Sequence, residues 1–166
     1  MNANAIRTTV CILMAGCVAM AVGCRGAQST ASGADGWLRG TPDEKFEIVA
    51  RQLRGFDLAM VETGYRYEQL YWAGEDQNWP YADYHLTKIR TAIENGLERR
   101  PLRAASAETF LTMALPALAE AIAREDQALF RQRFGALTST CNSCHEAEQM
   151  AFVHVAVPTI RTSAAR

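Results

Sequence analysis

Two cysteines and a histidine stand close together near the C-terminus, in the order Cys141-Asn142-Ser143-Cys144-His145. If this segment is helical, Cys141, Cys144 and His145 occupy positions i, i+3 and i+4 and share one face. Two thiols and an imidazole on one face could form a structural disulfide, a redox pair, half of a zinc site or a haem attachment site. The spacing C-x-x-C-H is the attachment signature of c-type haem.

Haem attachment explains both the residue types and their spacing. Each thiol adds across one haem vinyl group, and the adjacent His145 coordinates the iron from the same side of the ring. A zinc site needs four ligands, and the other three of the five cysteines lie within the first 24 residues. A thioredoxin-type pair would stand at a strand-to-helix turn in an α/β chain. We therefore expect one haem c, bound through Cys141 and Cys144, with His145 as an axial iron ligand.

The first 23 residues have the pattern of an export signal. Arg7 supplies a positive charge, and the apolar stretch that follows is too short and too rich in Gly and Ala for a transmembrane helix. The stretch ends Ala-Val-Gly-Cys24, which resembles the bacterial lipobox with its acylated cysteine. We predict a lipoprotein signal peptide over 1–23, a lipid on Cys24 and a flexible tether over 24–40. The alternative is an ordinary cleaved signal with an incidental cysteine.

Export and haem attachment agree, because haem c is attached covalently outside the cytoplasm. We expect a periplasm-facing domain that the lipid anchors to the bacterial outer membrane, or a soluble periplasmic domain if the signal is of the ordinary kind. The formal net charge is -1, so the chain has no basic excess for holding a nucleic acid.

The remaining residues, 41–166, have the apolar periodicity of an all-α domain. Thr41-Pro42-Asp43-Glu44 is a helix start, and Pro101 ends a helix. The pattern predicts four helices, which run from Thr41 to about Gly74, from about Tyr81 to Arg99, from about Ser106 to Arg124 with a kink at Pro116, and from about Asp126 to Phe152. The inward stripes of the first and third helices are predicted to include Phe46, Val49, Leu53, Phe56, Met60, Phe110, Met113 and Ile122. Short connections then favour an antiparallel four-helix bundle with the covalently bound haem in its core.

The segment from Phe130 to His145 resembles the last helix of the cytochrome c-prime family. These class II cytochromes are four-helix bundles with C-x-x-C-H near the C-terminus, whereas class I cytochromes place the motif near the N-terminus and draw a methionine ligand from far downstream. Only 21 residues follow His145, so we expect no methionine ligand from far downstream of the kind that class I cytochromes use. Two features depart from the family: Gln149 stands where an arginine is usual, and the chain continues through an apolar tail, 152–158, which we expect to fold back over an exposed haem edge.

The sixth iron position is open at this stage. The resemblance implies either a vacant or apolar-blocked site that small gases enter, or a methionine from the first helix. Met60 lies on the predicted inward stripe of that helix and is the methionine candidate. His85 and His154 are alternatives, although His154 would need a chain reversal to reach the opposite face of the haem. Met150 and Met113 are weaker candidates.

Side chains outside the motif allow two interpretations each. We interpret the aromatic cluster around the end of the first helix as packing, with a haem-pocket wall or a docking surface as the alternative. Arg99, Arg100 and Arg103 either pair with haem propionates or form a solvated helix end. The aromatic cluster consists of Tyr65, Tyr67, Tyr71, Trp72, Trp79, Tyr81 and Tyr84.

Together these features predict a monohaem electron carrier that passes electrons to a redox partner protein and is not an enzyme. The alternative is a haem protein that binds nitric oxide or carbon monoxide at an open sixth position. A third hypothesis, a weak peroxidase, lacks an evident distal acid–base pair. The resemblance to class II bundles also allows a homodimer.

Overall fold

The computed structural model describes residues 30–164. The predicted signal peptide over 1–23 and the lipid-bearing Cys24 lie outside these residues, as does the predicted tether up to residue 29. In the described part of the tether, the backbones of Ser32 and Leu38 pair at 2.8 and 3.0 Å around a 3-10 turn, Ala34–Gly36. The chain divides into two compact units, and the boundary along the sequence falls between Gln52 and Leu53.

The fold is all-α, as the periodicity predicted. Within residues 30–164 the regular elements are helices, and no helix there is long and apolar enough to cross a membrane. A 3-10 turn, Pro101–Arg103, precedes α4, and a π-helical turn, Phe110–Ala114, joins α4 to α5. The α-helices are α1 (Pro42–Leu53), α2 (Phe56–Glu75), α3 (Trp79–Arg99), α4 (Ala104–Thr109), α5 (Leu115–Ala123) and α6 (Gln127–Ala147).

The predicted long first helix is wrong, because the chain breaks between α1 and α2. Arg54 adopts the left-handed region with φ 59°, and Gly55 is extended with φ -103° and ψ -151°. Neither conformation continues an α-helix. The Asp57 carboxylate accepts a hydrogen bond from the Gly55 N–H at 3.1 Å and so supports the new start.

The α1 helix begins as predicted but contributes nothing to a core. Thr41 and Glu44 form a capping box, in which the Thr41 N–H donates to Glu44 Oε2 at 2.7 Å and the Glu44 N–H donates to Thr41 Oγ1 at 3.3 Å. No residue of α1 is buried, and Phe46 is 73% exposed. The predicted inward stripe over Phe46, Val49 and Leu53 is therefore wrong.

The core belongs to the unit that begins at Leu53. There α2 packs against α3, α3 against α5, α5 against α6, and α6 against α2. The helices α2 and α6 run in opposite directions, since Tyr67 meets Thr138 while Glu75 meets Arg131. The largest fully buried apolar side chains are Phe130, Phe134, Leu70, Ile89, Leu115, Leu118 and Leu137.

Glycine allows α2 and α6 to approach closely. A Cβ on Gly74 would stand 2.1 Å from the ring of Phe130, which is fully buried. This distance is far inside van der Waals contact, so only glycine fits at position 74 without a shift of the helices.

The third predicted helix is continuous, but a π-helical turn lies inside it. Pro116 has no N–H to donate, and the wider turn just before it lets the Leu115 N–H donate to the Phe110 carbonyl. The π turn also changes the helical phase. Phe110 and Ile122 are buried as predicted, whereas Met113 is 67% exposed, so its predicted inward position is wrong.

The last helix ends at Ala147, five residues before the predicted end at Phe152. Gln149 adopts φ 59°, and the Met150 N–H donates to the His145 carbonyl at 2.7 Å, which together form a Schellman ending. Gln77 and Glu125 end α2 and α5 in the same way, with φ 55° and 54°. None of the three is glycine, the residue that usually marks such an ending.

Candidate functional site

A cavity of about 400 Å³ lies beside the C-terminal half of α6. Pockets of 300–1,000 Å³ are typical of sites for small molecules and cofactors. The walls are mostly apolar and come from α2, α3, the segment Arg103–Phe110, α6 and the chain that follows α6. The lining residues are Phe56, Asp57, Met60, Thr63, Gly64, Tyr67, Ile93, Arg103, Ala107, Phe110, Cys141, Cys144, His145, Glu148, Met150, Val153 and Val155.

The two cysteines and the histidine of the motif all line this one cavity. They lie on α6 at positions i, i+3 and i+4, so the helix turns them to the same side, as the spacing predicted. Each of the three is partly buried, and both thiols are free. The structure therefore brings the predicted attachment residues together at an apolar space.

Both thiols are less acidic than an ordinary cysteine. Burial raises the pKa of Cys141 to about 12, and the neighbouring Cys144 adds to the effect. Burial also raises the pKa of Cys144, against a hydrogen bond with Ser106 that lowers it. Redox-active cysteines have lowered pKa values, because the thiolate is the reactive form. These side chains instead hold their protons at neutral pH.

The tautomer of His145 follows from its hydrogen bond. Its Nδ1 lies 2.7 Å from the backbone carbonyl oxygen of Val153. A carbonyl oxygen can only accept, so Nδ1 carries the proton and donates it. In that tautomer the lone pair is on Nε2. Metal-binding histidines in proteins characteristically donate their second ring nitrogen to a carbonyl or carboxylate in this way.

The chain that follows α6 turns back and runs beside it. We call residues 153–157 the C-terminal strap. Val153 and Val155 of the strap line the cavity, and Val155 packs against the core. The strap therefore forms one wall of the cavity, close to the axial histidine candidate.

A polar cluster stands at the edge of the cavity. The Arg103 guanidinium donates to Glu148 at 2.5 Å, and the Ser106 hydroxyl donates to the other oxygen of the same carboxylate at 2.5 Å. Of the three arginines considered for haem propionates, Arg103 lines the cavity, whereas Arg99 and Arg100 do not. This edge of the cavity therefore carries one charge of each sign, and the positive charge of Arg103 is paired with Glu148.

The candidates for the sixth iron position differ in whether they line the cavity. Met60 and Met150 line the cavity, and Met113 does not. His85 and His154 are also absent from the cavity wall, and His154 is exposed. Met60 on α2 is therefore the candidate from the predicted first helix that the structure places beside the motif.

His85 is buried in a ring cluster instead. It is 1% exposed, and its ring centroid lies 4.3 Å from that of Tyr81 and 5.1 Å from that of Tyr84. Neither ring nitrogen has a hydrogen-bond partner among residues 30–164. Burial, with a smaller contribution from Arg66, lowers the pKa of His85 to about 4, so the ring is neutral near pH 7.

Asn142 and Thr138 were not singled out by the sequence as contributors to the site, and Val153 was expected there only as part of the apolar tail. The Asn142 side chain bonds the strap, the Val153 carbonyl bonds His145, and Thr138 bonds Tyr67. The position of Asn142 inside the motif is the one sequence feature that could have indicated its role. The role of the Val153 carbonyl could not be predicted, because every residue type has the same backbone carbonyl. Tyr67 belongs to the aromatic cluster that was interpreted as packing, and it both packs on Phe134 and lines the cavity.

Within residues 30–164 no group of three or more His, Cys, Asp and Glu side chains is placed to hold a metal ion. Comparison with protein-family models, with curated proteins and with solved structures found no match. The functional interpretation therefore depends on the motif, the cavity and the contacts around them.

Proposed function

We propose that this chain is an exported c-type cytochrome that carries one haem and transfers electrons outside the cytoplasm. The observation that supports the proposal most is the shared orientation of Cys141, Cys144 and His145. All three line one mostly apolar cavity, and the hydrogen bond to Val153 leaves His145 Nε2 as the free ligand nitrogen.

The cavity residues fit a covalently attached haem in chemistry as well as in position. The thiols of Cys141 and Cys144 would add their S–H across the two vinyl groups, which needs no oxidant. His145 Nε2 would bind the iron, and Arg103 would turn from its present partner Glu148 to a negative propionate at the polar edge. The apolar walls exclude water and so bias the reduction potential. When bound, haem supplies a one-electron couple between ferric and ferrous iron.

The wider proposal covers the arrangement of the domain and its location. We propose that α2, α3, α5 and α6 form an antiparallel four-helix bundle, which their successive contacts support. The lipid on Cys24 would anchor the domain to the periplasmic side of the outer membrane. In that location the chain would serve a redox partner protein, would not act as an enzyme, and could form a homodimer.

The alternative function is binding of nitric oxide or carbon monoxide. The mostly apolar wall of the cavity favours this alternative. Of the three histidines in the chain, His145 alone lines the cavity, so no second histidine is there to bind the iron. A vacant sixth position would result if Met60 packs in the wall without reaching the iron. Ligation by Met60 would instead give a six-coordinate iron and an electron carrier.

The first test is covalent attachment. The full chain is produced with the haem-attachment machinery, denatured, and examined for haem that stays with the polypeptide. We expect haem on the wild type and on the control Ser143→Ala, whose hydroxyl bonds only its own helix. The double variant Cys141→Ala/Cys144→Ala should retain none. A wild-type chain without covalent haem would refute the proposed function.

The second test separates electron transfer from gas binding. Absorption spectra of the ferric and ferrous forms are recorded with and without carbon monoxide. A low-spin spectrum that ignores carbon monoxide indicates two protein ligands, and Met60→Leu should then convert it to a high-spin form that binds the gas. A wild-type spectrum that is high-spin and shifts with carbon monoxide would instead support the alternative.

A further inference from the structure

The C-terminal strap is held on α6 by the first residue between the two cysteines. Asn142 Nδ2 donates to the Val155 carbonyl at 2.9 Å, and the Val155 N–H donates to Asn142 Oδ1 at 2.8 Å. One side chain thus satisfies both backbone groups of Val155, much as a neighbouring strand would. A paired contact of this kind fixes the position and the direction of the chain together.

A second contact holds the strap from the side of α2. The Tyr67 hydroxyl donates to the Ala156 carbonyl at 3.2 Å and lies 2.6 Å from the hydroxyl of Thr138 on α6. Tyr67 is buried and packs on Phe134 with 4.6 Å between ring centroids. Because this ring is fixed in the core, its hydroxyl offers a stationary anchor for the strap.

The strap matters to His145 because that residue stands in the last turn of α6. The helix ends two residues later at Ala147, and the chain reverses at Gln149. Nothing within the helix itself bonds the imidazole Nδ1; its partner is the Val153 carbonyl of the strap, at 2.7 Å. The tautomer and ring orientation of His145 therefore depend on where the strap lies.

We propose that the C-terminal strap is a clamp on His145 and that Asn142 is the positioning residue that closes it. With the clamp closed, the Val153 carbonyl keeps the proton on Nδ1 and directs Nε2 toward the cavity. A histidine that donates to a carbonyl is a more basic ligand, so it stabilises ferric iron and lowers the reduction potential. The consequence for the potential depends on the proposed function, whereas the closure itself does not.

The test compares Asn142→Ala with Ser143→Ala in the full haem-containing chain. Ser143 is exposed and bonds only the Ser139 carbonyl of the same helix, at 3.2 Å, so it is a control one residue away. Two quantities are measured: hydrogen exchange of the Val155 amide, and the reduction potential. Asn142→Ala should speed exchange at Val155 at least about tenfold and raise the potential, because a released strap exposes that amide and frees Nδ1. Ser143→Ala should change neither.

Tyr67→Phe is the second variant, in case Asn142→Ala does not fold. It keeps the packed ring, removes the bond to Ala156, and should speed exchange at Val155 by a smaller factor. Unchanged exchange at Val155 in both variants would overturn the clamp. Faster exchange with an unchanged potential would overturn the positioning role of Asn142. Neither result affects covalent attachment of haem. A wild-type chain without haem would refute the proposed function, but hydrogen exchange at Val155 would still test whether the strap is closed.

Discussion

The interface between α2 and α6 has two ends that are built differently, although the same pair of helices forms both. At the end near Gly74, the buried Phe130 ring packs directly on the glycine, and an added Cβ would stand 2.1 Å from it. At the end near Gly64, the helices leave a cavity of about 400 Å³, and an added Cβ would meet no atom of the described residues within 4 Å. We call these the packed end and the cavity end.

The difference indicates where stability and function are located in this chain. Protein interiors are normally packed as densely as organic crystals, so a cavity of this size is an exception to the packing in the rest of the core. Small residues such as Gly64 and Ala107 leave the space, and the motif faces it. The packed end supplies the apolar contacts that hold α2 against α6, and polar contacts of the strap organise the cavity end.

The largest expected effect is at the packed end. Phe134 is 1% exposed and packs on Tyr67, Tyr71 and Phe130, with ring centroids 4.6, 5.0 and 5.7 Å away. Phe134→Ala should lower the free energy of unfolding by about 3–5 kcal/mol, because it removes a buried ring and leaves a void. Phe152, in the chain that follows α6, is 79% exposed. Both variants are measured by urea unfolding, in which Phe152→Ala should change the free energy of unfolding by less than about 0.5 kcal/mol. Equal losses would contradict the burial of Phe134 at the packed end.

The next effect concerns His85, a buried polar side chain on α3. Burial lowers its pKa to about 4 from the ordinary 6.5, so the unfolded chain binds more protons than the folded one between those pH values. The contribution of neutral His85 to the free energy of unfolding is therefore present above pH 6.5 and is lost as the pH falls toward 4. The difference between the two pKa values corresponds to a loss of about 3 kcal/mol in the free energy of unfolding at pH 4.

His85→Leu isolates this contribution because it removes the ionisable group and keeps an apolar side chain of similar size. Urea unfolding at several pH values should show that the wild type loses stability relative to the variant by about 3 kcal/mol between pH 7.5 and pH 4. His154→Ala is the control, since His154 is exposed. A constant difference between wild type and His85→Leu across this range would show that His85 does not titrate as its burial implies.

The third prediction concerns the close approach of α2 and α6. Gly74→Ala should lower the free energy of unfolding by about 1–3 kcal/mol, because the fully buried Phe130 has no space to move away. Gly135→Ala, on α6, adds a methyl group with no atom within 4 Å. It should raise stability by about 0.5–1 kcal/mol, since alanine is the better helix former. The two substitutions should therefore have opposite signs in thermal unfolding, and a gain from Gly74→Ala would refute the close approach.

The sequence predicts the helices well where apolar periodicity and turn residues agree. The α3 helix was expected from about Tyr81 to Arg99 and runs from Trp79 to Arg99. The break at Arg54 was missed because the apolar spacing from Leu53 to Phe56 continues across it. The end of α6 was missed because Gln149 adopts a left-handed conformation that is usually left to glycine.

The site was predictable only where side chains carry the chemistry. The spacing of Cys141, Cys144 and His145 was enough to place them on one face. The cavity was not predictable as a volume, because it depends on how several helices pack. The bond from His145 to the Val153 carbonyl was not predictable either, since any residue at position 153 offers the same carbonyl.

The smallest predicted effect is at the far end of the chain, where residues beyond the strap reach the packed end. Arg161 donates to both oxygens of Asp76 at 2.6 Å and lies 4.9 Å over the Trp72 ring. The ion pair is partly exposed to solvent, so its contribution is small.

Arg161→Ala should lower the free energy of unfolding by about 1 kcal/mol at low salt and by less at high salt. Arg124→Ala is the control, because Arg124, the residue just after α5, pairs locally with Glu120 of that helix, and it should cost about 0.3–0.5 kcal/mol. Hydrogen exchange at Val155 should stay slow in Arg161→Ala, since Asn142 holds the strap independently. Fast exchange there would mean that the packed end, through Arg161, controls the closure at the cavity end, and the two ends would then form one coupled unit.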